Sequence, residues 1–240
     1  VLESADRAAC PATNRLLAAL PPAEYTSLAA HCRVVTPNIQ EPLHEAGTPL
    51  EAVYFPLSGL AATITLMEDG ATIEVVTIGR EGLVGIEAFF GADTSPLRTV
   101  VQMPGAFARL PLAAFRSAAA PGTVLHDLLM RYTRAYHVMA AQAAACNRLH
   151  TLEARCARWL LLAHDRAGQA HLPITHEALG DLLGIRRPSI TVAMHILQAA
   201  GVLTYHRGVV TITDRAGLEG RACECYAVIR DAFAALPSPP

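Results

Sequence analysis

Two adjacent arginines and a proline, Arg186, Arg187 and Pro188, stand at the centre of THEALGDLLGIRRPSITVAMHILQAAGVLTYHRG, residues 175 to 208. A guanidinium presents a fixed fork of N–H donors that matches a phosphate or the O6/N7 edge of a guanine. Thr175, Ser189, Thr191, His195, Gln198, His206 and Arg207 add hydroxyl, amide, imidazole and guanidinium groups, and no carboxylate interrupts residues 182–213. Such a set is suited to holding a polyanion and reading an edge of donors and acceptors. Catalysis needs other patterns, and no G-x-S-x-G, P-loop, H-E-x-x-H or convincing carboxylate pair occurs. The glycines of VTIGREGLVG lack G-x-G-x-x-G spacing and follow β texture with no helix to open. The chain is therefore not expected to be an enzyme.

The elements that would position these donors are legible around them. Thr175 is placed to cap a helix over 176–183, with Glu177 in the first turn where the helix dipole favours a carboxylate. Leu179, Leu182 and Leu183 form its buried side, and Gly184 ends it. A second helix is predicted from about Arg186 to Ala200, with Pro188 in the first turn, where a missing amide donor costs nothing. Ile190, Met194 and Leu197 face inward, while Arg187, Thr191, His195 and Gln198 share a polar face. VLTYHRGVVTIT then gives two short β runs around Arg207-Gly208, a wing. The polar face suits the DNA major groove. Thr175 and Ser189 are placed to donate to phosphate oxygens, and His206 or Arg207 to reach the backbone from the wing.

Composition bounds the rest. With 52% hydrophobic and 17% charged residues in 240, the chain has material for a sizeable core and two domains. No apolar run approaches the length of a membrane span and the start does not read as a signal peptide, so a cytoplasmic protein is expected, although the sequence begins at Val1. All 19 basic residues are arginine. Residues 1–147 hold 9 arginines against 13 acidic residues and residues 148–240 hold 10 against 8, so the net −2 hides a mildly basic C-terminal part.

Upstream, NRLLAALPPAEYTSLAAHC reads as helix interrupted at Pro21–Pro22. From Arg33 to Leu112 short β-rich runs alternate with turns, and the Asp69-Gly70 turn signals a hairpin. The spacing suits an antiparallel sandwich or roll, and the predicted fold class is α+β, with a β-roll of jelly-roll type over 1–120, a long helix over 121–147 and a winged helix-turn-helix over 148–240. In the long helix, Leu129, Tyr132, Tyr136, Met139, Ala143 and Cys146 recur at alternating spacings of 3 and 4, a coiled-coil seam. They are expected to form a dimer interface; the alternative is a helix lying on its own β domain. The cysteines at 10, 32, 146, 156, 223 and 225 make no pair of C-x-x-C motifs, and Cys223 and Cys225 would diverge on a helix. Reduced structural thiols and no metal are expected.

This order of parts resembles the Crp/Fnr family of bacterial transcription regulators. The likeness covers about residues 14–230 and is carried by VYFPLSG, by MEDGATIEVVTIGREGLVG and above all by THEALGDLLGIRRPSITVAMHILQAAGVL. It implies a homodimer on a near-palindromic site in double-stranded DNA, with RNA polymerase as a further partner if the protein activates. The family's base-reading positions fall at Arg187, Pro188 and Val192. Arg187 matches; Pro188 and Val192 replace the Glu and Arg of the cyclic-AMP receptor protein, so a different operator is implied. Val192 is suited to a thymine methyl, and Arg186 to a phosphate. The effector turn reads VGIEAFF: Gly85 is in place, Ile86 stands at the position of the ribose-binding glutamate, and Glu87 comes one residue late. Arg98, followed by Thr99, is the candidate phosphate ligand, and the dimer-helix hydroxyls fall at Ala140 and Ala141. Cyclic AMP is thus disfavoured, as is an iron–sulfur cluster, whose N-terminal cysteines have no counterpart beyond Cys10 and Cys32. Haem stays open among ten histidines that no pattern selects; His44, His126 and His137 read as surface or packing residues.

Overall fold

A computed structural model of the chain describes residues 12–236; Cys10 lies outside them. Asn14 opens the fold. Its Oδ1 accepts from the backbone of Leu16 and Leu17 to cap helix α1 (Arg15–Ala18), and its Nδ2 donates to the carbonyls of Pro56 and Gly82. Helix α2 (Pro22–Ala29) starts on the second proline of the pair.

Seven strands build the roll: β1 (Arg33–Val35), β2 (Pro42–His44), β3 (Ala52–Pro56), β4 (Leu60–Leu66), β5 (Thr72–Ile78), β6 (Arg98–Met103) and β7 (Phe107–Pro111). They form two antiparallel sheets, ordered β1-β7-β3 and β2-β6-β4-β5. Phe55, Leu60, Val101 and Phe107 are buried within the roll, as alternation across two facing sheets requires. At the β4–β5 turn Gly70 takes φ 85°, and Asp69 accepts from the Ala71 amide. Gly59 at φ 73° allows the close crossing before β4, since a Cβ there would lie 2.6 Å from the Met103 carbonyl.

Helix α3 (Leu112–Ala118) leads to the long α4 (Val124–Leu149). Thr123 caps α4, and the Glu24 carboxylate of α2 accepts from the amides of Val124 and Leu125. Next come α5 (Leu152–Ala167), β8 (His171–Pro173), α6 (His176–Leu183), α7 (Arg187–Ala199), β9 (Leu203–His206) and β10 (Val209–Ile212), then α8 (Arg215–Glu219) and α9 (Cys225–Ala234). The segment between α5 and α6 contains β8, which completes a sheet of order β8-β10-β9.

The coiled-coil seam of α4 does not face outward. Leu129, Tyr132, Met139, Ala143 and Cys146 are buried against their own chain and Tyr136 is half-buried. Tyr132 donates to the Leu83 carbonyl at 3.2 Å and meets Phe233 of α9 edge-on, while Met139 touches Arg166 of α5. An apolar spacing of 3 and 4 specifies a covered stripe, not what covers it. Here the cover is the roll and α9. The outward face carries Met130, Arg134, His137, Ala141, Ala144 and Arg148, again spaced by 4 and 3.

One hydrophobic core runs through roll, long helix and C-terminal part. Across that join, Glu74 of β5 accepts from the Trp159 indole of α5 at 3.1 Å and from the Thr77 hydroxyl at 2.6 Å. Burial pushes the Glu74 carboxyl above its usual range, against the pull of those two donors and of Arg158 and Arg166. The folded chain therefore keeps a proton that the unfolded chain gives up. Stability from this group is full in acid and declines as pH rises from the ordinary carboxylate range through the raised value. In urea titrations between about pH 4 and pH 7, Glu74→Gln should remove that decline and gain on wild type as pH rises. A constant offset between the two proteins would show that Glu74 does not titrate differently on folding.

Candidate nucleic-acid interface and sensor roll

Thr175 accepts from the Ala178 amide at 3.1 Å, the N-cap of α6, and Gly184 at φ 64° ends that helix. A Cβ on Gly180 would lie 2.6 Å from the Ile185 carbonyl, so glycine permits the close packing of the turn. Arg186 is the N-cap residue of α7, and Arg187 and Pro188 are its first two residues. Ile190, Ala193, Met194 and Leu197 are buried, leaving Arg186, Arg187, Pro188, Ser189, Val192, His195, Ile196 and Gln198 exposed along one side. Val192 is 61% exposed, so the outward side of α7 carries an apolar side chain as well as the two arginines.

Thr191 departs from the expected polar face. Its hydroxyl donates to the Arg187 carbonyl at 3.1 Å and lies 3.0 Å from His176 Nδ1. It thus ties α7 to α6 instead of standing free for a base. His176, which no sequence motif singles out, stacks on Tyr205 of the wing at 4.2 Å between centroids. Burial, then the nearby His195 and Arg187, hold its pKa below the usual histidine value, so it is a neutral packing piece at neutral pH. A histidine directly after the cap residue Thr175 carries no local cue to this role.

Arg207 at φ 47° and Gly208 at φ 80° form the two-residue turn between β9 and β10, the geometry that matches strand twist in a hairpin. His206 and Arg207 are exposed at that tip, and Gly208 lies beside Thr175. The wing and the start of α6 therefore share one end of the unit.

In the roll, Gly85 takes φ 92°, where a Cβ would meet the His44 ring at 2.7 Å. It precedes a 3-10 turn over Ile86–Phe90 in which Ile86 is buried and Glu87 accepts from Ser95 at 3.2 Å. Arg98 Nε lies 3.0 Å from a Glu45 carboxylate oxygen, an ion pair without hydrogen-bond alignment. Thr99 and Thr63 hydroxyls are bonded at 3.0 Å in the interior. His44 is buried with Nε2 2.8 Å from the Ala52 carbonyl, His126 Nδ1 lies 3.1 Å from the Ala119 carbonyl, and His137 is exposed.

The four residues Cys146, His150, Cys223 and Cys225 converge at the end of α4, contrary to the expected divergence of the last two cysteines. Cys223 precedes α9 in irregular chain, so helical geometry does not separate it from Cys225.

No helix among the described residues is long and apolar enough to cross a membrane. The cyclic nucleotide-binding domain family matches residues 38–120, and the Crp-like helix-turn-helix domain family matches residues 154–221. No curated protein matches the chain in sequence. Among solved structures, FixK2 of Bradyrhizobium japonicum superposes with a TM-score of 0.69 at 17% identity over 80% of this chain and 98% of that one. The c-di-GMP responsive global regulator CLP of Xanthomonas campestris gives 0.63 at 17% identity over 80% and 99%. A CRP/FNR family regulator of Thermus thermophilus gives 0.62 at 23% identity over 79% and 98%. At these identities the likeness is one of fold, and the two matched domains name the lineage. With a cyclic nucleotide-binding-type roll joined through a long helix to a Crp-like helix-turn-helix, the chain belongs to the Crp/Fnr family of DNA-binding transcription regulators.

Proposed function

We propose that the protein is a homodimeric, sequence-specific regulator of the cytoplasm that reads a near-palindromic DNA site and answers a signal other than cyclic AMP. The observation that carries the reading is the exposed side of α7. It places Arg186, Arg187, Ser189, Val192 and His195 outward with no carboxylate on the helix, next to a wing tipped by Arg207. Arg187 is the base reader, Val192 the contact for a thymine methyl, and Arg186, Ser189, Thr175 and Arg207 hold phosphates. Sequencing of fragments selected from random DNA should return two half-sites centred about 34 Å apart. Selection of a single unrepeated motif, or of no motif, would contradict the proposal. RNA polymerase is the further partner if the protein activates.

The outward face of α4 is where a second copy is proposed to pack, because the small residues Ala141, Ala144 and Ala145 allow close approach of two helices. Ala141→Glu would set like charges opposite one another there. Sedimentation at micromolar concentration should show wild type as a dimer and this variant as a monomer. A variant that stays dimeric would move the interface elsewhere.

The case against cyclic AMP rests on partners already made. Arg98 is paired with Glu45, Thr99 with Thr63, and Glu87 with Ser95, so the groups suited to a ribose and a cyclic phosphate are engaged within the roll. The same pairs favour a second reading, a roll that serves as scaffold without any ligand. Operator affinity measured with and without small molecules from cell extract separates the two.

A further inference from the structure

Cys146 and His150 sit one turn apart at the end of α4 and face the same way. Cys223 and Cys225 approach from the far side of the chain, 77 and 75 residues away from their partners. Cys146 Sγ is 3.5 Å from Cys223 Sγ, Cys225 Sγ is 3.6 Å from His150 Nδ1, and the four candidate ligand atoms all lie within 4.8 Å of one another. A tetrahedral zinc ion with Zn–S bonds of about 2.3 Å and Zn–N bonds of about 2.0 Å sets its ligand atoms roughly 3.5–3.8 Å apart. Closing the longest separation needs a movement of about an ångström, within reach of side-chain torsions.

We propose that Cys146, His150, Cys223 and Cys225 form a tetrahedral site for one thiophilic divalent cation of the zinc type, which fastens the end of α4 to the start of α9.

Two surrounding features fit an ion. The first is the orientation of His150. Its Nδ1 faces the sulfurs while Nε2 lies 3.1 Å from a Glu224 carboxylate oxygen. A carboxylate accepting the outer ring N–H fixes the tautomer that leaves the inner nitrogen's lone pair for a metal. The second is Arg158 on α5, 5% exposed, whose Nε has no hydrogen-bond partner and whose charge acts on Cys146 and Cys225. Three thiolates and a divalent cation leave a net charge of −1, which that guanidinium balances. As each Zn–S bond forms, its thiol proton passes to solvent, and no electron is transferred. With four ligands from the protein the site is closed, and its role is structural.

The location gives the site its consequence. His150 and Thr151 join the long helix to α5 and hence to the DNA-binding unit, and Arg155 reaches back from α5 to Asn147 in the last turn of α4 at 3.0 Å. An ion here would limit how that unit swings on α4. The site itself stands on its own geometry and does not depend on the DNA-binding reading.

Cobalt is the probe, because thiolate-bound tetrahedral Co2+ absorbs in the visible and near ultraviolet whereas zinc is silent. The full-length protein, reduced and stripped with a chelator, should bind one Co2+ per chain with sulfur-to-metal charge-transfer bands, and an equivalent of Zn2+ should bleach them. Cys146→Ser and Cys223→Ser should abolish the charge-transfer signature, Glu224→Gln should weaken affinity by about 10–100-fold, and Cys32→Ser should leave it unchanged. Should a cysteine variant fail to fold, alkylation of the wild type decides: Zn2+ must protect Cys146, Cys223 and Cys225 together. Cobalt spectra without thiolate bands, cysteine variants that bind as wild type, or alkylation indifferent to zinc would each overturn the site. So would reduced protein that takes up no metal and closes a Cys146–Cys223 disulfide in air.

Discussion

Replacing Glu81 by alanine should cost about 3–5 kcal/mol of stability, the largest effect expected of any single polar substitution in the protein. Glu81 Oε1 lies 3.2 Å from Arg166 Nε, with the two side chains 6% and 5% exposed. The pair spans the join between roll and C-terminal part: Glu81 follows β5, and Arg166 stands in the last turn of α5. Arg166 further donates to the Thr77 carbonyl at 2.8 Å and lies over the Phe233 ring at 4.7 Å. Glu81 also accepts from the Gly79 amide at 3.2 Å. Removing the carboxylate leaves a guanidinium in a place water does not reach, and the penalty is mostly that of the stranded charge. The double replacement Glu81→Leu with Arg166→Met should therefore recover most of what either single alanine loses. Urea unfolding at fixed protein concentration provides the four corners of the cycle. Single-variant losses below about 1 kcal/mol would mean that water or another group takes up the charge.

That pair also shows where sequence reasoning stops. Local rules place the β-roll strands, the long helix, the helix-turn-helix and the wing, because each depends on periodicity and turn chemistry within a few residues. Arg207-Gly208 is legible as a hairpin turn for that reason. What fails is the choice of partner for surfaces that meet across long stretches of chain. The stripe from Leu129 to Cys146 reads as a dimer seam, yet the cover is the roll together with α9, whose own stripe begins 79 residues after Cys146. The polar face of α7 includes Thr191 by spacing, but its engagement with His176 depends on how α6 crosses it. Cys223 and Cys225 diverge only on a helix that spans both, and the helix in fact starts at Cys225. Arg166 sits in no motif, and nothing in MEDGATIEVVTIGREGLVG points from Glu81 to it. Contacts between residues far apart in the chain leave no spacing to read, and the join between domains consists of such contacts.

Arg187→Ala should weaken operator binding by about 1–3 kcal/mol for each half-site, and by roughly twice that in a dimer that loses both arginines. The arginine is the first residue of α7 and exposed, with Pro188 setting the backbone next to it. None of the ion pairs found among the described residues includes it, so its fork is free of the internal partners that hold Arg98, Arg166 and Arg215. A bidentate contact to guanine has no equivalent at another base, so the loss should fall on the selected sequence and leave binding to random DNA almost unchanged. Arg186→Ala is expected to differ in kind. A phosphate contact carries no base preference, so both sequences should weaken together and the salt dependence of binding should flatten by about one unit of slope per lost contact. Competition titrations of the two variants at several salt concentrations separate the roles. If Arg187→Ala weakened specific and random DNA equally while Arg186→Ala spared random DNA, the assignments would have to be exchanged. The distinction matters because the two side chains are adjacent and carry the same charge. Under the proposed function their roles differ through position alone: Arg186 stands at the N-cap position and Arg187 starts the helix, and only a side chain that enters the groove can read it.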